Sequence, residues 1–234
     1  GVMKIIFSGG GTLGPVTPLL HIYNVYREKY PDTEFAWVGT KNGPERAVIE
    51  KTGMPFFMIG AGKWRRYFSW ANFGDIFRII VAFFQSLMLI WQEKPDLMIS
   101  AGGFVSVPLH YAATLLGVPS WIHQQDVRPG LAMKLMAPCA DVITTALETT
   151  AKQFSQRKTL WLGNPARDLT CKNIEEARNF FGIKPGTRVI FALGGGTGST
   201  TVNRLVLEAL PSWPKEWQVI HLIGKERPGD LSER

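Results

Sequence analysis

One device occurs twice in this chain and limits what it can fold into. Lys4-Ile5-Ile6-Phe7-Ser8, a short β-branched and aromatic run, leads directly into Gly9-Gly10-Gly11-Thr12-Leu13-Gly14. Far downstream, Arg188-Val189-Ile190-Phe191-Ala192-Leu193 leads into Gly194-Gly195-Gly196-Thr197-Gly198-Ser199. Each copy reads as a buried strand, a glycine-rich turn and a helix, Pro18 to Tyr30 after the first turn and Thr201 to Leu210 after the second. Such a turn brings backbone N–H groups to a helix N-terminus, where the dipole also favours negative charge. Two copies predict two Rossmann-like domains whose turns face one cleft.

Further strands are predicted at Glu34–Val38, Phe56–Ile59, Asp96–Ser100, Ser120–His123, Asp141–Thr144, Lys158–Leu162 and Gln218–Ile223, with helices between them. This alternation predicts a parallel α/β sheet, in which ligands sit beyond the carboxyl ends of the strands. The division is expected at 167/168, with one domain over residues 1–167 and the beginning of a second over 168–234. From Cys171 onward only 64 residues remain, about half of a Rossmann-type domain of roughly 100–150 residues. The second domain is therefore expected to be incomplete and the chain truncated.

Composition narrows the partners. With 45% hydrophobic and 19% charged residues over 234 positions, disorder is excluded and a real core is affordable. The 26 Lys and Arg against 19 Asp and Glu leave a net charge of +7, which favours phosphates, nucleic acid or an anionic membrane. No zinc finger, RNA-binding aromatic motif or lysine-rich tail is present, so no nucleic-acid partner is expected. Cys139 and Cys171 lack metal-ligand spacing, which excludes a zinc module or disulfide scaffold and fits a reducing compartment. The N-terminus lacks the basic start, apolar stretch and cleavage site of a signal peptide, so the expected location is cytoplasmic.

Gly9, Gly11 and Gly14 satisfy the dinucleotide fingerprint G-x-G-x-x-G. That fingerprint also needs an acid at the end of the second strand to hold the ribose, and Val38-Gly39-Thr40-Lys41 contains none. The second copy places Ser199 where a third Gly or Ala is expected. Neither turn is followed by the Gly-Lys-Ser/Thr of a P-loop.

Five motifs stand in the order and spacing of the MurG family of glycosyltransferases: Gly10 to Pro18, Gly102 to Pro108, His123-Gln124-Gln125-Asp126, Gly163-Asn164-Pro165-Ala166-Arg167, and Gly194 to Gly198. The chain resembles that family over almost its whole length. The resemblance implies a GT-B fold and inverting transfer of N-acetylglucosamine from UDP-GlcNAc to lipid I, giving lipid II for peptidoglycan. It implies that Gly10, Gly11, Thr12, Gly14, Gly102 and Gly103 approach the diphosphate of a lipid-linked acceptor. Asn164, Arg167, Gly195, Gly196, Thr197 and Gly198 would hold the UDP-sugar donor, with no metal and no cofactor. A guanidinium at Arg167 suits a pyrophosphate, since it stays charged and binds oxygens in pairs. The different-class alternative is a noncatalytic, membrane-associated binder of lipid-linked or nucleotide sugars.

The chain departs from the family at the proposed base. Family members usually end the first motif in histidine; here Pro15 stands, and a prolyl ring takes no proton. Asp126 and His123 are the remaining candidate bases, each following a strand end. Structural roles fit them as well: His123 bonding a loop, and Asp126 capping a helix from Pro129 to Met136. The family's ribose-binding glutamate lies in a part absent here, so these 234 residues are expected not to turn over by themselves.

Aromatic and basic residues crowd together between 61 and 91. Trp64, Arg65, Arg66, Phe68, Trp70 and Phe73 are the candidate membrane contacts, ahead of a helix apolar almost all round from Ile76 to Trp91. Arg78, Gln85 and Ser86 are its only polar residues and are expected along one stripe. Such a helix is either buried or faces lipid, and this one is too interrupted to span a bilayer. A peripheral contact with an anionic membrane at the cytoplasmic face is expected.

Overall fold

The computed structural model describes residues 2–60, 71–166, 173–195 and 198–224, the side chains of 71–77 excepted. The chain divides into two compact units, Gly1–Arg167 and Asp168–Arg234.

Unit 1 is an α/β fold around one seven-stranded sheet. Its elements are β1 (Lys4–Ser8), α1 (Val16–Lys29), β2 (Glu34–Gly39), α2 (Glu45–Glu50), β3 (Phe56–Met58), α3 (Ala71–Glu93) and β4 (Leu97–Ser100), followed by α4 (Ser106–Leu115), β5 (Ser120–Gln124), α5 (Leu131–Met136), β6 (Val142–Thr145), α6 (Glu148–Ala151) and β7 (Thr159–Trp161). The strand order is β3-β2-β1-β4-β5-β6-β7, and every neighbouring pair is parallel. The predicted strands appear with ends moved by a residue or so. Helix α1 begins two residues earlier than predicted, because Pro18 is tolerated in a first turn whose N–H groups have no intrahelical partner.

Alternation along β1 distributes the core between the two faces of the sheet. Ile5 and Phe7 pack with Leu19 of α1, Trp37 of β2 and Ile49 of α2. Ile6 packs on the opposite face with Val38, Met98, Leu89 and Ile90 of α3, and Leu109 of α4. A smaller cluster beneath α5 joins Ile122, Ile143, Met133 and Met136. Burial on both faces explains why β1 reads as a continuous apolar run.

Helix α3 orients in a way its sequence does not announce. Ala82, Ser86, Leu89 and Ile90 face inward, while Phe84 is 62% exposed, Met88 62% and Trp91 69%. The expected single polar stripe is split. Ser86 is buried because its hydroxyl donates to the Ala82 carbonyl at 2.6 Å, within its own helix. Gln85 lies outside and accepts from the Gly60 N–H at 3.0 Å. Among the described residues no helix is long and apolar enough to cross a membrane. Trp64, Arg65, Arg66, Phe68, Trp70 and the side chain of Phe73 lie outside the described residues.

Unit 2 comprises α7 (Ile174–Phe180), β8 (Val189–Leu193), α8 (Thr200–Ala209) and β9 (Gln218–Leu222), with β8 and β9 paired in parallel. Asn173 caps α7 and Ser199 caps α8, each side chain accepting a backbone N–H from the first turn. Among its described hydrophobic residues Val206 alone is buried.

Candidate active site at the sheet switch point

From β1 the chain runs outward to β3; from β4 it runs outward in the other direction to β7. The boundary of β1 and β4 is thus the switch point, where parallel sheets open a crevice beyond their carboxyl ends. A cleft of about 300 Å³ lies there. Thr12, Gly14 and Pro15 line it from the turn after β1, Ala101, Gly102 and Gly103 from the turn after β4, and Gln124, Gln125 and Asp126 from the end of β5 and the loop beyond. Gly130, Ala132 and Met133 complete the wall.

The lips of this cleft are tied together. The Gln125 side-chain amide donates to the Gly14 carbonyl at 2.9 Å. Gly103 has φ +87°, and a Cβ on it would lie 3.0 Å from the Gly10 nitrogen, so the turns after β1 and β4 approach closely only with glycine at this position. Beneath them the buried Ser8 and Ser106 hydroxyls meet at 2.6 Å, and Ser106 also donates to the Gly102 carbonyl at 3.1 Å. Alongside, Ser100 bonds His110 Nε2 at 2.9 Å. His110 is fully buried, its Nδ1 has no partner, and burial lowers its pKa to about 4 against a weaker upward pull from Asp141.

The first glycine-rich turn faces two ways. The Gly9 N–H donates to the Val38 carbonyl and the Gly11 N–H to the Glu45 carboxylate, each at 3.2 Å. Gly10 and Gly11 are not among the residues that line the cleft, the Gly11 N–H being turned to Glu45. Thr12 and Gly14 are, and their N–H groups have no partner among the described residues. Gly102 and Gly103 join them there.

The two candidate bases separate clearly. His123 is 1% exposed. Its Nδ1 lies 2.8 Å from the Thr144 hydroxyl, which also accepts the Trp121 indole N–H, and its Nε2 lies 2.9 Å from Asn164 Oδ1. This network is satisfied by a neutral ring that donates from Nε2 to Asn164 and accepts from Thr144 at Nδ1. Burial lowers the His123 pKa, and the Asn164 bond partly opposes it. No ring nitrogen is left for an incoming hydroxyl. Asp126 is exposed in the cleft wall and is the one ionisable side chain among the described residues lining it. Its backbone carbonyl accepts from Gln124 at 2.9 Å and Thr150 at 3.2 Å, and its carboxylate has no intramolecular partner among the described residues. It does not cap α5, whose N-cap is Gly130 without a side-chain bond.

Of the residues expected at the donor, Asn164 lies in unit 1, in the loop after β7, and is bonded to His123. Arg167, Gly196 and Thr197 lie outside the described residues. Gly195 and Gly198 close the second turn through Gly198 N–H to the Gly195 carbonyl at 2.8 Å. Gly198 has φ +83°, and any Cβ there would overlap the Ile223 carbonyl oxygen. Asn203 ties this turn to β9, donating to Ile223 O at 3.0 Å and bonding His221 Nε2 at 2.9 Å. Among the described residues no cluster of His, Cys, Asp and Glu has the makings of a metal site.

Residues 5–145 match the glycosyltransferase family 28 N-terminal domain. The chain belongs to glycosyltransferase family 28. A relative from Bacillus cereus (strain ATCC 10987 / NRS 248), UDP-N-acetylglucosamine–N-acetylmuramyl-(pentapeptide) pyrophosphoryl-undecaprenol N-acetylglucosamine transferase 2, is 38% identical over 98% of this chain and 64% of its own length. A transferase of the same description from Clostridium perfringens (strain 13 / Type A) is 37% identical over 98% of this chain and 63% of its own. The family 28 chain thus spans a little under two thirds of these relatives. Among solved structures, MurG of Acinetobacter baumannii superposes with a TM-score of 0.71 at 22% identity, covering 96% of this chain and 59% of that one. The UDP-GlcNAc 2-epimerase of Neisseria meningitidis bound to UDP-GlcNAc gives 0.62 at 12% identity, over 99% of this chain and 70% of that one. These likenesses show the shared α/β fold.

Sequence reading missed Glu45. A carboxylate does stand at the end of β2, contributed from five residues beyond Thr40, and it is fully buried.

Proposed function

We propose that this family 28 chain forms the acceptor-binding part of a transferase that moves N-acetylglucosamine from UDP-GlcNAc to lipid I, working peripherally at the cytoplasmic face of the membrane. One observation carries the reading. The switch-point cleft is lined by Thr12 and Gly14, whose amides have no partner among the described residues, beside Gly102 and Gly103, and Asp126 is the one carboxylate among the described residues lining it. Backbone N–H groups suit an acceptor diphosphate. Asp126 takes the proton from the acceptor hydroxyl as its oxygen attacks the anomeric carbon and UDP departs, inverting that centre. His123, locked between Thr144 and Asn164, orients the loop rather than moving a proton. The second turn and Arg167 take up charge on the departing UDP.

The exposed row of Ile80, Phe84, Met88 and Trp91 on α3 supports a membrane-facing role. Apolar and aromatic side chains of this kind settle at the headgroup boundary, and the +7 net charge favours anionic lipid.

Flotation with anionic vesicles tests binding: the chain should bind vesicles carrying lipid I about tenfold more tightly than the same vesicles without it, and equal binding would defeat the acceptor assignment. Chemistry is tested by joining the chain to the remaining portion of the Bacillus cereus relative and following transfer of labelled GlcNAc. Asp126→Asn should lower the rate about 10²–10⁴-fold, the usual share of a general base, with lipid I binding unchanged. An unchanged rate removes Asp126 from the mechanism; binding without transfer by the unmodified fusion supports the noncatalytic binder.

A further inference from the structure

Among the described residues one carboxylate is fully buried, and the proposed chemistry does not use it. Glu45 is the first residue of α2 and is 0% exposed. Its Oε1 accepts the Thr40 N–H at 2.7 Å and the Thr40 hydroxyl at 2.6 Å, and its Oε2 accepts the Gly11 N–H at 3.2 Å. No ion pair to it exists among the described residues. A carboxylate withdrawn from water must be compensated by donors aimed at it, and here both oxygens are.

The surrounding sequence is shaped to admit this group. A Cβ on Gly10 or on Gly43 would overlap the Glu45 carboxylate, and one on Gly39 would lie 3.1 Å from its Oε1. Three segments thus converge on one side chain: the turn after β1, the end of β2, and the loop before α2. The Trp37 indole N–H adds a neighbouring tie, donating to the Gly9 carbonyl at 3.0 Å.

We infer that Glu45 is a positioning residue: it occupies the inner, anion-accepting side of the first glycine-rich turn and so directs the free amides of Thr12 and Gly14 into the cleft. A negative group already bonded to Gly11 also excludes a second anion from that amide, so a diphosphate is met one to three residues further along. The effect on ligand rests on the acceptor reading above; the positioning itself rests on the hydrogen bonds alone.

Glu45→Gln tests both levels. It preserves the shape but removes the charge, and its NH₂ turns a donor toward Thr40 or Gly11. In the 234-residue chain, amide hydrogen exchange at Gly11 and Thr40 should accelerate about tenfold, while Ile6 and Phe7 of β1 keep their protection. Affinity for vesicles carrying lipid I should fall about tenfold, and affinity for the same vesicles without it should stay constant. Exchange at Gly11 and Thr40 within twofold of the unmodified chain overturns the positioning role, whatever the ligand. Faster exchange with undiminished lipid I affinity overturns its consequence for binding. Failure of the unmodified chain to prefer lipid I vesicles defeats the acceptor reading, and the exchange result still decides Glu45. Should Glu45→Gln not fold, Glu45→Asp, one methylene short of spanning Thr40 and Gly11, should show the same pattern at two- to fivefold.

Discussion

The two glycine-rich turns share a plan but are held by different means. The first depends on partners distant in sequence: Val38 and Glu45 for its amides, Trp37 for the Gly9 carbonyl, and Gly103 packed against Gly10. Its helix has Pro15 at the N-cap position and so no side-chain cap. The second is closed by near neighbours, with Ser199 capping α8 and the Gly198 N–H meeting the Gly195 carbonyl, and one distant tie, Asn203 to the Ile223 carbonyl beyond β9. Their settings differ in the same direction. Around the first turn Phe7 and Trp37 are 0% exposed; on the strand leading into the second, Phe191 is 56% exposed and Leu193 54%. A motif repeated in sequence can therefore be a keystone among fully buried rings in one place and a capped turn beside half-exposed ones in another.

The sharpest way to break this comparison is to remove an aromatic from each setting. Trp37→Ala should cost about 3–5 kcal/mol of stability, from lost burial and the cavity left behind, whereas Phe191→Ala should cost under about 1 kcal/mol because that ring is already half in water. Urea titrations of both variants measure this, and similar losses would abolish the distinction.

Acid gives the next largest effect. His110 is held neutral by burial, with a folded pKa of about 4 against 6.5 when unfolded. The unfolded chain therefore binds the extra proton first. The stabilisation is fully present above pH 6.5, is lost as pH falls toward 4, and amounts to about 3 kcal/mol. His123, also lowered by burial, adds to the slope in the same direction. His110→Gln should flatten the dependence of urea midpoint on pH across this window; an unchanged slope would show that other groups govern it. A smaller effect than either of these belongs to the cap of the second turn. Ser199→Ala should remove about 1 kcal/mol by loss of the cap, seen as faster amide exchange in the first turn of α8 and no change in α1.

Much of unit 1 was legible because β-branched and aromatic runs between glycine-rich turns leave few alternatives to buried parallel strands. The cleft was legible in part: Thr12, Gly14, Gly102, Gly103 and Asp126 meet there. What their neighbours do was not. Glu45 carries no signal in the sequence, since an acid opening a helix ordinarily lies in water, and only tertiary donors make its burial tolerable. His123 follows a strand as a catalytic histidine could, yet its bonds to Thr144 and Asn164 come from positions 21 and 41 residues away. Helix α3, apolar on nearly every side, gave no indication that a serine would face inward and a tryptophan outward.

The outermost strands of the large sheet, β3 and β7, are three residues long each. A stray polypeptide docking alongside would find room for only a bond or two before the backbone turned away. The sheet thus guards its own margins against runaway strand addition, with no covering helix or added charge needed at either edge.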